Sequence, residues 1–466
     1  MWMEVFLPLL ENPVTSKFKT HKNPDSSIVA FPVSLFWKSA ESGFFFKFSK
    51  MRRITFILLA VIITSCSKTT EYSLTLKNPA TIDQMDAGII LTADMFSKLP
   101  DGKIPVIEDP DGNLFPSQAD DLDGDGKWDE IFLLANLEAG AEKKAFVRFL
   151  DPEGYPDLKA RTNIRFANKK DGYIEVSEAT RETHADNLIT QEIWQMEGIA
   201  WENDYIAFRN YFDQRNGMDI FGKVTTNMVL DHVGDAENPE YHAYNPDWGV
   251  DVLKVGNSLG AGGIAMLYND SLYRIGDNGE GLCKVIVDGP LRSIFRFTFN
   301  NWKMADQELT VIHDVTITAG THYYSSKVSY TGSEAPMKLV TGIVNKKSHE
   351  LLEAGQATDY PAFYTFDLQA EDTTLLGMGL LIPKSEFIET FPAPKEGSGI
   401  TETYCVSLNI QENTSVDFRF YAVWEREDDR WKTAQGFGDF LAEEAIRASS
   451  PVTAEVALSK RKQRIY

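Results

Sequence analysis

Between residues 292 and 318 apolar and polar side chains alternate with a period of two, and this rhythm limits the fold more than any other feature. Phe295, Phe297 and Phe299 alternate with Arg296 and Thr298; Leu309, Val311, His313, Val315 and Ile317 alternate with Thr310, Asp314, Thr316 and Thr318. Successive strand residues point to opposite faces, so each run reads as a strand with one buried side. Similar runs recur at 146–150, 327–330 and 418–424, with turn signals such as Asp111-Gly112, Asp277-Asn278-Gly279 and Asp288-Gly289-Pro290 between others. A single helical pattern stands out, in which Phe437, Phe440, Leu441, Ala445 and Ala448 share a face ahead of Pro451. Strands that do not alternate with helices argue against a parallel sheet, whose crossovers need them. The expected fold is all-β, a large antiparallel β-sandwich with one C-terminal helix. Gly256, Gly260, Gly262 and Gly263 lack the Lys-Ser/Thr of a phosphate loop and read as a tight turn.

The N-terminal part carries a different signal. Arg52 and Arg53 precede an apolar run over 54–63, too short to cross a bilayer and of signal-peptide length. The run ends in Ile63-Thr64-Ser65-Cys66, which resembles the lipobox of bacterial lipoproteins. Cleavage before Cys66 and lipidation of its thiol are expected, placing the chain in the cell envelope with the lipid anchor as its membrane contact. Because a signal peptide works at the start of its precursor, Met51 reads as the true start and 1–50 as an upstream extension without a fold. The expected division is 51–65 signal peptide, 66–75 lipidated cysteine and linker, 76–450 one large β-sandwich domain, and 451–466 a C-terminal tail. From Cys66 onward 38 Lys+Arg face 64 Asp+Glu, a net charge of about −26. That field repels nucleic acid, and no nucleic-acid partner is expected. Cys283 and Cys405 are too few for a disulfide scaffold or a cysteine zinc site; one bridge or two buried thiols both remain open.

Three clusters could carry chemistry. Asp121, Asp123, Asp125 and Asp129, spaced around Gly124 and Gly126, form a loop of hard oxygen donors suited to a structural Ca²⁺, although Phe132 stands where an EF-hand has its bidentate Glu. A solvated acidic hairpin is the plainer reading. The second cluster places Trp201, Glu202, Asn203 and Asp204 ahead of Arg209, Tyr211, Asp213, Arg215, Asn216, Asp219 and Lys223. Aromatic faces interleaved with charged groups suit a sugar, which offers an apolar ring face and a rim of hydroxyls; a charged sheet edge with internal ion pairs would look the same. The third runs through His242, Tyr244, Asp247, Trp248, Asp251 and Lys254, where His242 in a polar loop can move a proton with Asp247, Asp251 or Glu202 as its acid. His313 shares the apolar side of its strand, and His322 beside Tyr323 ranks third. Arg292, on a Phe-rich strand, needs a carboxylate partner or an anionic ligand.

These clusters bring a family resemblance. The loop 121–130, Gly198-Ile199-Ala200-Trp201-Glu202-Asn203-Asp204, Arg215-Asn216-Gly217-Met218-Asp219-Ile220-Phe221-Gly222-Lys223 and Trp248-Gly249-Val250-Asp251-Val252-Leu253-Lys254-Val255-Gly256 resemble the domain-of-unknown-function family DUF4861, secreted proteins of polysaccharide-degrading bacteria, across roughly residues 75–430. The resemblance implies a galactose-mutarotase-like supersandwich and a genomic setting among genes for pectin-type and uronic-acid-type degradation. It transfers no catalytic residues. From the residues themselves, the first expectation is an enzyme acting on uronic-acid or deoxy-sugar oligosaccharides by hydrolysis, elimination or epimerisation. His242, Glu202 and Asp204 would be catalytic; Trp201, Asn203, Arg209, Arg215, Lys223, Tyr244, Trp248, Lys254 and Arg292 would bind the saccharide. The second is a non-catalytic glycan-binding lipoprotein, and the third a structural envelope role.

Overall fold

The computed structural model describes residues 72–181, 193–276 and 278–459. Cys66 and the expected export signal lie outside the described residues, as do Lys460 to Arg464. The two alternating runs form the antiparallel strands Arg292–Met304 and Gln307–Thr318, with Phe297 opposite His313 and Phe295 opposite Val315. Phe295, Phe297, Phe299, Leu309, Val311, Val315 and Ile317 are buried on one face, while Ile294 and Ile312 are half-buried on the other.

These strands lie within a nine-stranded sheet that continues through Tyr323–Thr331, Ser415–Trp424, Leu376–Leu381, Ala362–Asp367 and Leu352–Ala354 on one side, and through Glu280–Asp288 and Glu178–Arg181 on the other. Two five-stranded sheets share a core with it. One comprises Gly249–Asp251, Met218–Lys223, Ile206–Asn210, Ala200–Asn203 and Thr162–Arg165; the other runs from Ser271–Arg274 through Ala261–Tyr268, Met337–Val344 and Thr403–Ile410 to Phe387–Pro392. The strand pairings within these sheets are antiparallel, which is the all-β sandwich the alternation implied. A single apolar cluster reaches from Ile164 through Trp201, Phe297 and Tyr324 to Trp424. Cys283 and Cys405 are free, buried thiols in separate clusters; burial pushes Cys405 up to about 12.

A second, smaller sandwich is built from a four-stranded sheet (Thr453–Leu458, Tyr72–Lys77, Glu142–Leu150, Ile104–Glu108) and a three-stranded one (Gln84–Thr92, Glu130–Leu137, Ser117–Asp120), around Leu74, Leu91, Ile131, Leu133 and Val147. This corrects two expected boundaries. The supposed linker is already in a strand at Tyr72, and the supposed tail supplies Thr453–Leu458, paired from Tyr72↔Leu458 to Lys77↔Thr453. The tail strand buries only Ala454 and Val456 partially, so its alternation is too short to stand out in the sequence.

The helix Ala434–Ser449 is capped by Thr433, whose side chain accepts from the Gly436 amide. It lays Phe437, Leu441, Ala445 and Ala448 on the outer face of the nine-stranded sheet against Tyr364, Tyr421 and Val423. Each large apolar side chain buried this way contributes roughly 1.5–3 kcal/mol. Among the described residues no helix is long and apolar enough to cross a membrane.

Candidate acid-base site

The first five-stranded sheet turns Ile206, Phe208, Met218, Ile220 and Val250 to the core. Alternation therefore puts Arg209, Asp219, Phe221, Lys223 and Asp251 on its other face, with Arg209 opposite Asp219 and Phe221 opposite Asp251. Met196, Leu230, Val233, Tyr241 and Trp248 fold over this face, so its charges are buried between two apolar layers.

Arg209 is the hub. Nη2 donates to Asp219 Oδ2 and Asp251 Oδ2, both at 2.7 Å, and to the Tyr211 hydroxyl at 2.8 Å, while Nη1 reaches the Tyr241 hydroxyl at 3.2 Å. The rings of Tyr211, Phe221 and Tyr241 lie 4.6, 5.2 and 5.3 Å from the guanidinium carbon. The Tyr211 hydroxyl donates onward to Asp219 Oδ2 at 2.6 Å. Arg215 stacks 3.7 Å over the Tyr211 ring and pairs with Asp213 at 2.6 Å and Glu197 at 2.9 Å. At the rim, His242 Nδ1 sits 3.2 Å from Asp251 Oδ2 with 62 % of its side chain exposed. The other Asp251 oxygen is buried without a hydrogen-bond partner.

The segment beneath this group is strained. Met196 and Glu197 hold φ values of 55° and 66°, a left-handed backbone that costs non-glycine residues about 1–3 kcal/mol each. Gly198 follows where a Cβ would stand 2.1 Å from the Asn210 carbonyl oxygen, so only glycine fits. The strain delivers the Glu197 carboxylate to Arg215 and Arg209.

Burial, reinforced by the nearby Asp251 charge and only partly offset by Arg209, pushes Asp219 up to about 6. The Asp251 hydrogen bond raises His242 above its ordinary value against some desolvation. Burial raises Tyr211 and Tyr241, which keeps both phenols protonated, Tyr211 donating to Asp219 and Tyr241 accepting from Arg209. The arrangement is an exposed imidazole backed by two carboxylates that share one guanidinium, able to hold and pass a proton near neutral pH.

Residues 76–454 match the family model described as Domain of unknown function (DUF4861). The chain belongs to that family. A DUF4861 chain of this length also has a relative in Formosa agariphila, named Uncharacterized protein P7, 22 % identical over 323 residues that cover 65 % of this chain and 76 % of the relative. Among solved structures, an alpha-mannosidase from Enterococcus faecalis V583 aligns over 85 % of this chain at 9 % identity and a TM-score of 0.43. The chain spans about half of that mannosidase chain, at 47 %. A Klebsiella pneumoniae protein assigned as an aldose 1-epimerase aligns over 62 % of this chain and 96 % of its own, at 9 % identity and a TM-score of 0.29.

Within the DUF4861 chain the other expected site residues fall into three settings. Some are enclosed. Glu202 and Lys223 are fully buried and paired at 2.5 Å, and Glu202 Oε1 accepts from the backbone amides of Val229 at 2.7 Å and Leu230 at 2.8 Å. Glu202 thus anchors the covering loop, and the acid that contacts His242 is Asp251. Trp201 is core, packed on Phe295 and Tyr324. Asn203 donates to the Thr318 and Thr321 carbonyls at 2.8 and 2.7 Å, and Trp248 is 7 % exposed against Phe221. His313, fully buried and bonded to Ser326 at 2.9 Å, is held down at about 4 by desolvation.

Others act as joints. Asp204 is held by Arg161 Nε at 3.0 Å and by the Gly320 amide at 2.9 Å, and Arg161 continues to Asp86 at 2.7 Å. Arg292 has protein carboxylates as partners, Asp120 and, at 2.9 Å, Glu130, so it links the small sandwich to the large sheet at 4 % exposure. The third setting is exposed: Tyr244 carries Arg426 at 4.4 Å over its ring, and Lys254 projects beside Lys346 and Lys347.

In the acidic loop Asp121, Asp123 and Asp129 bring ligand oxygens within 4.8 Å of one another, a set of hard donors suited to calcium. Asp125 is turned away to the Lys127 amide at 2.8 Å and its ammonium at 3.4 Å. Sequence reasoning missed Glu197 and Tyr241; their signals were the position directly before the Gly198 motif and adjacency to His242.

Proposed function

We propose that this chain is a carbohydrate-active enzyme that performs acid/base chemistry on a uronic-acid-containing or deoxy-sugar oligosaccharide at the His242 group. The observation that carries the reading is the exposed His242 imidazole bonded to Asp251, beside Asp219 held at about 6. Asp251 fixes Nδ1, which leaves Nε2 to take a proton from the sugar or return it. The Asp219–Asp251 pair balances the imidazolium once formed, and Arg209 keeps the two carboxylates from repelling each other apart. In this reading Tyr244, exposed two residues from His242, would offer a ring face to the sugar, and Arg215, 21 % exposed, would meet an anionic group in competition with Asp213 and Glu197. The polysaccharide-degradation setting that the family resemblance implies supports the substrate class. The same reading takes Cys66 as a lipidated envelope anchor and the Asp121–Asp123–Asp129 trio as a structural calcium site.

The burial of Arg209 and Asp219, each about 1 % exposed, favours a second reading, a non-catalytic glycan binder in which these groups brace the site. The purified chain is to be screened against plant and algal oligosaccharides with product masses read out. A gain of water marks hydrolysis, no change in mass with a new isomer marks epimerisation, and an unsaturated product marks elimination. His242→Ala is expected to lower turnover by about 100-fold or more. Binding without turnover in the native chain supports the glycan binder, and undiminished turnover in His242→Ala refutes the site.

A further inference from the structure

A polar-aromatic concavity lies on the outer face of the nine-stranded sheet and shares no residue with the His242 group. Along Ser415–Trp424, Val416, Phe418 and Phe420 enter the core, so Arg419 stands on the opposite face with Tyr421 and the cross-strand Tyr323. The C-terminal helix and the small sandwich wall off this patch, leaving a cavity of about 330 Å³ whose lining includes Asp86, Tyr205, His322, Tyr323, Arg419 and Phe440.

Arg419 has no direct ion pair among the described residues, and the Glu444 charge reaches it only across the Tyr421 hydroxyl. Its guanidinium lies 4.8 Å over the Tyr323 ring, it is hydrogen-bonded to the neutral Tyr421 hydroxyl, and no carboxylate among the described residues stands within ion-pair distance. The surrounding acids are engaged elsewhere. Asp86 is paired with Arg161 at 2.7 Å, Glu444 with Arg447 at 2.8 Å and Tyr421 at 3.0 Å, and Glu427 with His322 at 3.0 Å and the Trp431 indole at 2.6 Å. A partly buried guanidinium left without a direct anionic partner is poorly compensated, and its planar fork matches a carboxylate. Flat apolar surface lies nearby: Tyr205 stacks on His322 at 4.5 Å with 5° between the rings, and Phe440 meets His322 edge-on at 5.6 Å.

We propose that this cavity binds a hexuronate residue, its carboxylate on Arg419 and its apolar ring face against Tyr205 or Phe440. The volume is at the small end of ligand pockets, which suits one sugar residue more than a chain. That the anion belongs to a sugar rests on the saccharide reading above; the demand for an anion stands on Arg419 itself. A uronate held here would keep an acidic polysaccharide on the protein independently of the His242 site.

Calorimetric titration of the full chain with digalacturonate, neutral digalactose and acetate tests the assignment. Digalacturonate is expected to bind about tenfold or more tighter than either control, and Arg419→Gln to remove most of that advantage. Arg419→Lys, which keeps the charge, is expected to retain part of it. Because Arg419 packs on Tyr323 and Tyr421, Tyr205→Ala on the facing wall provides a second variant, expected to weaken binding several-fold with the fold intact by circular dichroism. Equal affinity for digalactose overturns the inference, as does uronate binding that survives Arg419→Gln but is lost in Arg215→Ala. Absent turnover with Arg419-dependent binding sinks the catalytic reading alone; turnover with Arg419-independent binding sinks this one alone.

Discussion

Asp219→Asn tests whether the buried carboxylate pair holds a proton. The folded chain keeps Asp219 at about 6 against an ordinary 3.8, which corresponds to roughly 3 kcal/mol at 1.36 kcal/mol per tenfold change in proton affinity. Its folded value lies above its unfolded one, so between about pH 4 and 6 the native state binds more protons than the unfolded state. This contribution to stability therefore falls as pH rises through that window and levels off above it. His242, also raised, acts in the same sense: its contribution is lost as pH rises through its folded value. Urea unfolding of native and Asp219→Asn chains from about pH 4 to 7.5, read as the difference between them, cancels the remaining carboxylates. The variant is expected to gain roughly 3 kcal/mol on the native chain across that range, whatever its constant offset. A difference that stays flat, or a variant that loses ground with rising pH, would mean that Arg209 fully neutralises Asp219 and would refute the proton-holding pair.

Glu202→Ala leaves the Lys223 ammonium and two loop amides without their buried acceptor, and it is expected to destabilise by about 3–5 kcal/mol in urea unfolding. Adding Lys223→Met should recover part of the loss, because it removes the stranded charge. Calcium at about 100 times its Kd should stabilise by about 2.7 kcal/mol, so a chelator should lower Tm by a few degrees and Asp121→Asn should abolish that response; an unchanged Tm would count against the trio.

The large sheet was legible because its strands have one buried face each, which makes the Phe295–Phe299 and Leu309–Ile317 rhythms regular. The helix was legible for a similar reason, with Phe437, Leu441, Ala445 and Ala448 one turn apart. The site was only partly so. Strands Ala200–Asn203, Ile206–Asn210 and Met218–Lys223 are buried at every position, because residues 225–248 cover their outer face. A strand covered on both sides gives no inside and outside to read, so Glu202 and Asp219 looked alike although one braces a loop and the other faces Arg209. The sequence did bring His242, Asp251 and Arg209 into view, but their convergence depends on the pairing of Met218–Lys223 with Gly249–Asp251, a register that local composition does not encode.

The pairing of Thr453–Leu458 with Tyr72–Lys77 gives the chain a clasp. The strand at Tyr72 waits for a partner far down the chain, Ser73 and Ala457 being 384 positions apart, so the small sandwich remains open until the helix and the strand after it have been synthesised. Until then the Tyr72 edge offers unpaired amides and carbonyls to any neighbour. A product that stops at the helix keeps the large core yet displays that edge, an open flank that proteases and chaperones can read.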